Sequence, residues 1–263
     1  MLRFFAVYGN PIAHSKSPIL HNHTFSHYRI GGYYGRLLLE NGKDLRESFR
    51  AYNLSGANIT IPFKEEAYKQ CDCVRGIAQE IGACNTWVRE NGKIIGYNTD
   101  AQGFYESVKD FKMLNALVLG AGGSAKAVAM ILKMHNIDTT IINRSAGKLE
   151  FFSKKGFTCF VSDEFKANEV YDIVINTTSA GLNDESLPFA KQGLQEIFTH
   201  SSYAFDLIYG KQTPFLALAS QCGLECKDGR EMLIYQAALA LALFVKEYSL
   251  VPSEIAKIMS EVL

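Results

Sequence analysis

The hydrophobic positions of this chain change period repeatedly along its length, from the alternation of a strand to the three-and-four spacing of a helix and back. RFFAVYG (3–9) reads as a strand, 18–28 as a helix and YYGRLLLE (33–40) as a second strand. Over 43–52, Leu45, Phe49 and Tyr52 recur at helical spacing, and the strand-like GANITIP (56–62) follows. Strands alternating with helices in this way predict a mostly parallel sheet. CNTWVRE (84–90) and KIIGYN (93–98) flank Asn91-Gly92. Both central residues of a type I′ turn take positive φ, which suits this pair, so a hairpin is predicted. A helix over 99–111, with Phe104 and Val108 on one face, carries the chain out of this first region.

A second alternation starts at Leu114, with strands at 116–120, 139–143, 157–161, 171–176 and 203–208 and helices at 124–135 and 146–154. That is half or more of a Rossmann-like fold. The tail, 232–248 and then 253–263, reads as two helices with no strand after them. The expected architecture is therefore α/β in two domains, and 263 residues of which 48% are hydrophobic suffice to bury two modest cores.

Charge and composition narrow the partners. The 27 basic and 27 acidic residues cancel, and no run of five like charges occurs, so neither nucleic acid nor an anionic membrane is expected. The most apolar stretch, 232–245, is broken by Gln236 and is shorter than the roughly 20 residues of a membrane-spanning helix. The apolar run before Gly9 and Pro11 is too short for a signal peptide, which predicts a cytoplasmic protein. The six cysteines form no CxxC pair and no zinc-ligand spacing, so free thiols and no metal are expected.

The sharpest local signal follows the strand at 116–119. Gly120-Ala121-Gly122-Gly123-Ser124-Ala125 matches G-x-G-x-x-A and opens an apolar helix. Gly120 permits the tight turn, Gly122 admits a pyrophosphate to the backbone, and Ala125 lets helix and strand pack closely. The unpaired amides at the helix start favour phosphate. The next strand ends Asn143-Arg144-Ser145. An NAD-binding chain places an acid there for the ribose 2′-hydroxyl; an arginine instead suits a 2′-phosphate, which predicts NADP. NTTSAG (176–181) follows another strand and suits either a cofactor border or a plain turn.

Four polar clusters occupy predicted strand ends or helix starts in the first region: HSKSP (14–18), NITIPFK (58–64), GACNT (82–86) and NTD (98–100). Their hydroxyls and amides suit a ligand carrying several hydroxyls and a carboxylate, although Ser15 or Ser17 also suits a helix cap and Asn85 a turn.

These clusters, with GAGGSA, NRS and DGREMLIYQ (228–236), resemble the shikimate dehydrogenase family over nearly the whole chain. The resemblance implies NADP(H)-dependent reduction of 3-dehydroshikimate to shikimate in aromatic amino acid biosynthesis. It implies a substrate-binding and catalytic domain of 1–100 plus 237–263, a Rossmann domain of 101–236, and last helices that return to the first domain. Substrate contacts are implied for Ser15, Ser17, Thr60, Lys64, Asn85, Asp100, Tyr209 and Gln236. The cofactor residues are expected to be Gly120, Ala121, Gly122, Gly123, Ser124, Ala125, Asn143, Arg144, Ser145, Thr177 and Gly229. Ser145 and Thr177 depart from the residues more usual in the family.

Oxidising a secondary alcohol needs a proton acceptor at its oxygen, and Lys64 and Asp100 are the implied pair. Residue types alone leave open which is the formal acid, and whether Asp100 instead caps a helix and Gln236 makes a core hydrogen bond. Two rival readings are a quinate or shikimate dehydrogenase using NAD and a non-catalytic dinucleotide-binding regulator. Monomer and homodimer are both compatible with the sequence.

Overall fold

The computed structural model describes residues 2–166 and 169–263. The chain divides into two compact units, Met1–Phe104 with Leu233–Leu263, and Tyr105–Met232. Both divisions fall inside helices rather than at 100 and 236, which moves Gln236 into the first unit.

In chain order the first unit contains β1 (Arg3–Gly9), α1 (Ser17–His27), β2 (Gly32–Leu38), α2 (Leu45–Ala51), β3 (Gly56–Ile59), α3 (Lys64–Gln70), β4 (Cys73–Val74), α4 (Ala78–Ile81), β5 (Thr86–Glu90), β6 (Lys93–Tyr97) and the start of α5 (Asp100–Val108). Its sheet runs β2-β1-β3-β5-β6-β4; only β5 is antiparallel to its neighbours. The reversal comes from the hairpin: Asn91 and Gly92 both take positive φ, as a type I′ turn requires.

The second unit contains β7 (Asn115–Leu119), α6 (Gly123–Met134), β8 (Asp138–Asn143), α7 (Glu150–Lys154), β9 (Thr158–Val161), β10 (Ile173–Asn176), α8 (Lys191–Phe198), β11 (Tyr203–Asp206), α9 (Pro214–Gln221) and β12 (Glu225–Lys227). All its strand pairs are parallel, in the order β12-β11-β10-β7-β8-β9. This is the complete doubly wound order, with the topological switch between β7 and β10. α10 (Arg230–Phe244) and α11 (Pro252–Ser260) end the chain.

Alternation along β1 explains how the tail returns. Phe5 and Val7 join one core with Leu20 of α1, Leu241 and Phe244 of α10, and Ile255 and Met259 of α11. Ala6 and Tyr8 face the opposite core, with Leu45 and Phe49 of α2 and Ala67 of α3. Fully burying a large apolar side chain contributes about 1.5–3 kcal/mol, so α10 and α11 are integral to the first unit. β3 carries glycine at 56 because a Cβ there would stand 2.4 Å from the Phe244 ring.

One polar residue lies inside the first of these cores. His21 is fully buried, stacks on Tyr34 with ring centroids 4.2 Å apart, and has no hydrogen-bond partner for either ring nitrogen among the described residues. Burial pushes its pKa down from 6.5 to about 3; the nearby Asn58 side chain offsets only part of this. The unfolded chain therefore binds a proton that the folded chain refuses. Stability is fully present above pH 6.5 and declines as pH falls from there toward 3. Between pH 6.5 and 5 the decline attributable to His21 is about 2 kcal/mol. Urea unfolding of native protein and His21→Phe at both pH values checks this: the variant loses less stability on acidification, and equal losses contradict it.

Candidate active site

In the first unit three of the polar clusters, 58–64, 82–86 and 98–100, are joined by hydrogen bonds, and 14–18 makes none with them among the described residues. β3 ends before Pro62, and the turn closes with the Phe63 amide donating to the Thr60 carbonyl at 2.9 Å. Thr60 is half-buried there, its own amide on the Tyr8 carbonyl at 2.8 Å. The turn starts α3 at Lys64. A lysine at the positive end of a helix is electrostatically unfavourable by itself. Here Nζ donates to Asp100 Oδ2 at 2.7 Å, and the two side chains are only 12% and 11% exposed. At that burial solvent screens the pair little, and each charge depends on the other.

Asp100 opens α5 but does not cap it. Asn98 Oδ1 accepts from the Ala101 amide at 3.2 Å, and Asn98 Nδ2 donates to the Ala83 carbonyl at 3.0 Å. The Asp100 carboxylate is thereby left for Lys64. Asn85 is buried rather than in an exposed turn: Oδ1 accepts from the Thr99 amide at 2.7 Å, and Nδ2 donates to Thr99 Oγ1 at 2.9 Å. The cap residue of α1 is Lys16, which makes no side-chain cap bond, while Ser15 Oγ accepts at 3.3 Å from the Ser17 amide that opens the helix. Ser15 Oγ also lies 3.3 Å from Ser17 Oγ.

Gln236 reaches this group because Gly103, one turn beyond Asp100, lets α10 approach α5. A Cβ on Gly103 would lie 2.7 Å from the Gln236 backbone nitrogen. Gln236 is buried, and its Nε2 donates to the Leu233 carbonyl at 2.9 Å. That bond is the local core contact expected as an alternative; among the described residues the amide oxygen accepts none.

In the second unit the fingerprint loop has the geometry its residues predict. Gly120 takes φ +110°, and a Cβ there would stand 2.6 Å from Thr177 Oγ1, so glycine is required. At Gly122 and Gly123 an added Cβ would meet nothing within 4 Å, leaving the backbone approachable from outside. α6 then begins with no side-chain cap and no acid in its first turn; Ala121 and Ala125 are buried and Ser124 is half-buried. Beyond β8, Asn143 Nδ2 donates to the Ser145 carbonyl at 2.9 Å and holds the turn. Arg144 and Ser145 are exposed. Among the described residues no carboxylate pairs with Arg144.

Thr177 spends its hydroxyl on the Leu119 carbonyl at 2.7 Å, tying β10 to the end of β7. Tyr209 follows β11 and is half-buried, its pKa raised by that burial. A Cβ on Gly229 would stand 2.2 Å from the Leu207 carbonyl oxygen, so only glycine admits the crossing of these two segments.

Comparison with known proteins gives this geometry its family. A protein of Helicobacter hepaticus named shikimate dehydrogenase (NADP(+)) is 61% identical over 268 residues, covering 100% of both chains. The chain belongs to the shikimate dehydrogenase family. The family profile described as the shikimate dehydrogenase substrate binding domain matches residues 7–87. A shikimate dehydrogenase (NADP(+)) of Helicobacter pylori is 47% identical, covering 92% of each chain. The crystal structure of the Thermus thermophilus shikimate 5-dehydrogenase in complex with NADP(H) and shikimate superposes with a TM-score of 0.85 at 32% identity, covering 100% of both chains.

For this shikimate dehydrogenase family member, sequence reasoning overlooked the supports beneath the polar clusters. Gly103 and the buried Tyr34 were not singled out, and Asn58, Thr86 and Thr99, although inside the polar clusters, were given no role of their own. Asn58 carried the available signal, as a polar residue inside the otherwise apolar strand GANI, whose four residues are all buried.

Proposed function

We propose that this chain is an NADP-dependent shikimate dehydrogenase, reversibly reducing 3-dehydroshikimate to shikimate in aromatic amino acid biosynthesis. The observation that carries the reading is the shielded Lys64–Asp100 pair at 2.7 Å in a chain of this family. A surface lysine and a helix cap would not be held in this way.

The second unit suits the cofactor. The open backbone at Gly122 and Gly123 and the uncapped start of α6 fit a pyrophosphate. Asn143, Arg144 and Ser145 offer a cation and polar groups, with no acid, where the 2′-phosphate would lie. Ala121, Ser124 and Ala125 complete the loop, and Thr177 and Gly229 shape its surroundings through the contacts already described. NADPH, when bound, supplies the hydride that reduces the ketone.

The remaining chemistry belongs to the side chains. Lys64 donates a proton to the carbonyl oxygen as it becomes an alcohol, and its ammonium stabilises the developing alkoxide. Asp100 orients Lys64 through the charge-assisted hydrogen bond between them. Ser15, Ser17, Thr60, Asn85, Tyr209 and Gln236 hold the substrate's hydroxyls and carboxylate. Arg144 and the absent acid favour NADP over the NAD of the quinate alternative. The work is assigned to the cytoplasm; among the described residues no helix is long and apolar enough to cross a membrane.

Following NADPH absorbance with 3-dehydroshikimate, with NADH as the control, tests substrate, cofactor and reaction together. Rapid loss with NADPH and slow loss with NADH is expected. No loss with either defeats the enzymatic reading and favours a regulator.

A further inference from the structure

Beneath the Lys64–Asp100 pair runs a buried chain of hydrogen bonds whose direction the backbone dictates. The Asn85 carbonyl can only accept, so the Asn58 amide nitrogen must face it, at 3.3 Å. The same nitrogen donates to Thr86 Oγ1 at 3.0 Å. The Thr86 hydroxyl then lies against Asn85 Oδ1 at 3.0 Å and Thr99 Oγ1 at 3.2 Å. The Thr99 amide can only donate, and it points at the same Asn85 oxygen at 2.7 Å. Asn85 is thus oriented from both sides, its Nδ2 on Thr99 Oγ1, in the residue next to Asp100.

At the far end, Asn58 Oδ1 accepts from the Tyr34 hydroxyl at 2.6 Å. Tyr34 is fully buried, held by the His21 stack, and its backbone exchanges two bonds of 2.8 Å with the Asn22 side chain. One phenol is thereby linked, through Asn58 and Thr86, to Asn85. Every member is buried, where an unmet polar group costs more than in water.

We propose that Tyr34 is a positioning residue for the reaction: through Asn58 and Thr86 it fixes the orientation in which Asn85 meets the substrate. The proposal rests on the assignment of Asn85 to the substrate. Groups contacting parts of the substrate away from the reacting carbon bind ground state and transition state alike, so their loss appears in KM.

Steady-state kinetics of Tyr34→Phe, Thr86→Val, the double variant and Thr86→Ser tests this. Tyr34→Phe and Thr86→Val each raise KM for 3-dehydroshikimate about tenfold, with kcat within about threefold and KM for NADPH unchanged. The double variant is no worse than about twofold beyond the weaker-binding single variant, because both cut one chain. Thr86→Ser, which keeps the hydroxyl, stays within about twofold of native. A merely structural role would lower thermal stability and leave the substrate KM of the folded protein where it was. If Tyr34→Phe does not fold, the contrast between valine and serine at 86 decides alone. The proposal is overturned if KM for substrate is unmoved in the folded variants, or if the two effects multiply in the double. Native turnover with unmoved variants defeats only the positioning role; native protein without turnover defeats both readings.

Discussion

Replacing Lys64 with alanine lowers kcat for 3-dehydroshikimate reduction by about a thousandfold and moves the substrate KM by less than about threefold. The asymmetry follows from when the ammonium matters. The ketone oxygen of the bound substrate is neutral, and Lys64 gains most from it only as negative charge develops. Alanine is tolerated at the first position of α3, where Lys64 makes no side-chain contact essential to the helix. It does leave Asp100 shielded and unpaired, so stability falls, and circular dichroism at the assay temperature must accompany the kinetics. A folded variant with kcat within about tenfold of native contradicts the role.

Replacing Arg144 with alanine lowers the preference for NADPH over NADH by about tenfold to a hundredfold, through KM for NADPH. Arg144 follows β8, the strand beside β7, and is exposed. Among the described residues it has no carboxylate to neutralise it, so its charge is available to a phosphate. NADH lacks that phosphate, so its KM changes little. Kinetics with each coenzyme at saturating 3-dehydroshikimate give the ratio, and an unchanged ratio removes the assignment.

Much of the fold was legible because the strands of both units follow strong alternation or short apolar runs, and because Asn91-Gly92 and GAGGSA carry their backbone geometry in their residue types. β4, α4, α8, α9 and β12 were not anticipated. Thr213-Pro214 did announce α9, since the Thr213 hydroxyl caps it by accepting from the Leu216 amide at 3.2 Å. β12 has three residues, too few to show a period.

The chemistry-bearing residues were legible as types and spacings, but their partners were not. In NTD both Asn98 and Asp100 suit a helix cap, and only the fold shows that Asn98 takes the task and leaves Asp100 to Lys64. Thr177 likewise lay in a segment that suited either a cofactor border or a plain turn. Its bond to the Leu119 carbonyl depends on β10 lying beside β7, a pairing of residues far apart in sequence.

The central claim is that this chain transfers a hydride from NADPH to the ketone of 3-dehydroshikimate while Lys64 and Asp100 manage the proton. Incubation with NADPH deuterated at the transferring carbon, followed by mass spectrometry and NMR of the product, tests it most directly. The account predicts shikimate carrying one deuterium, on the carbon that bore the ketone. Shikimate without deuterium there, or no shikimate at all, would contradict it.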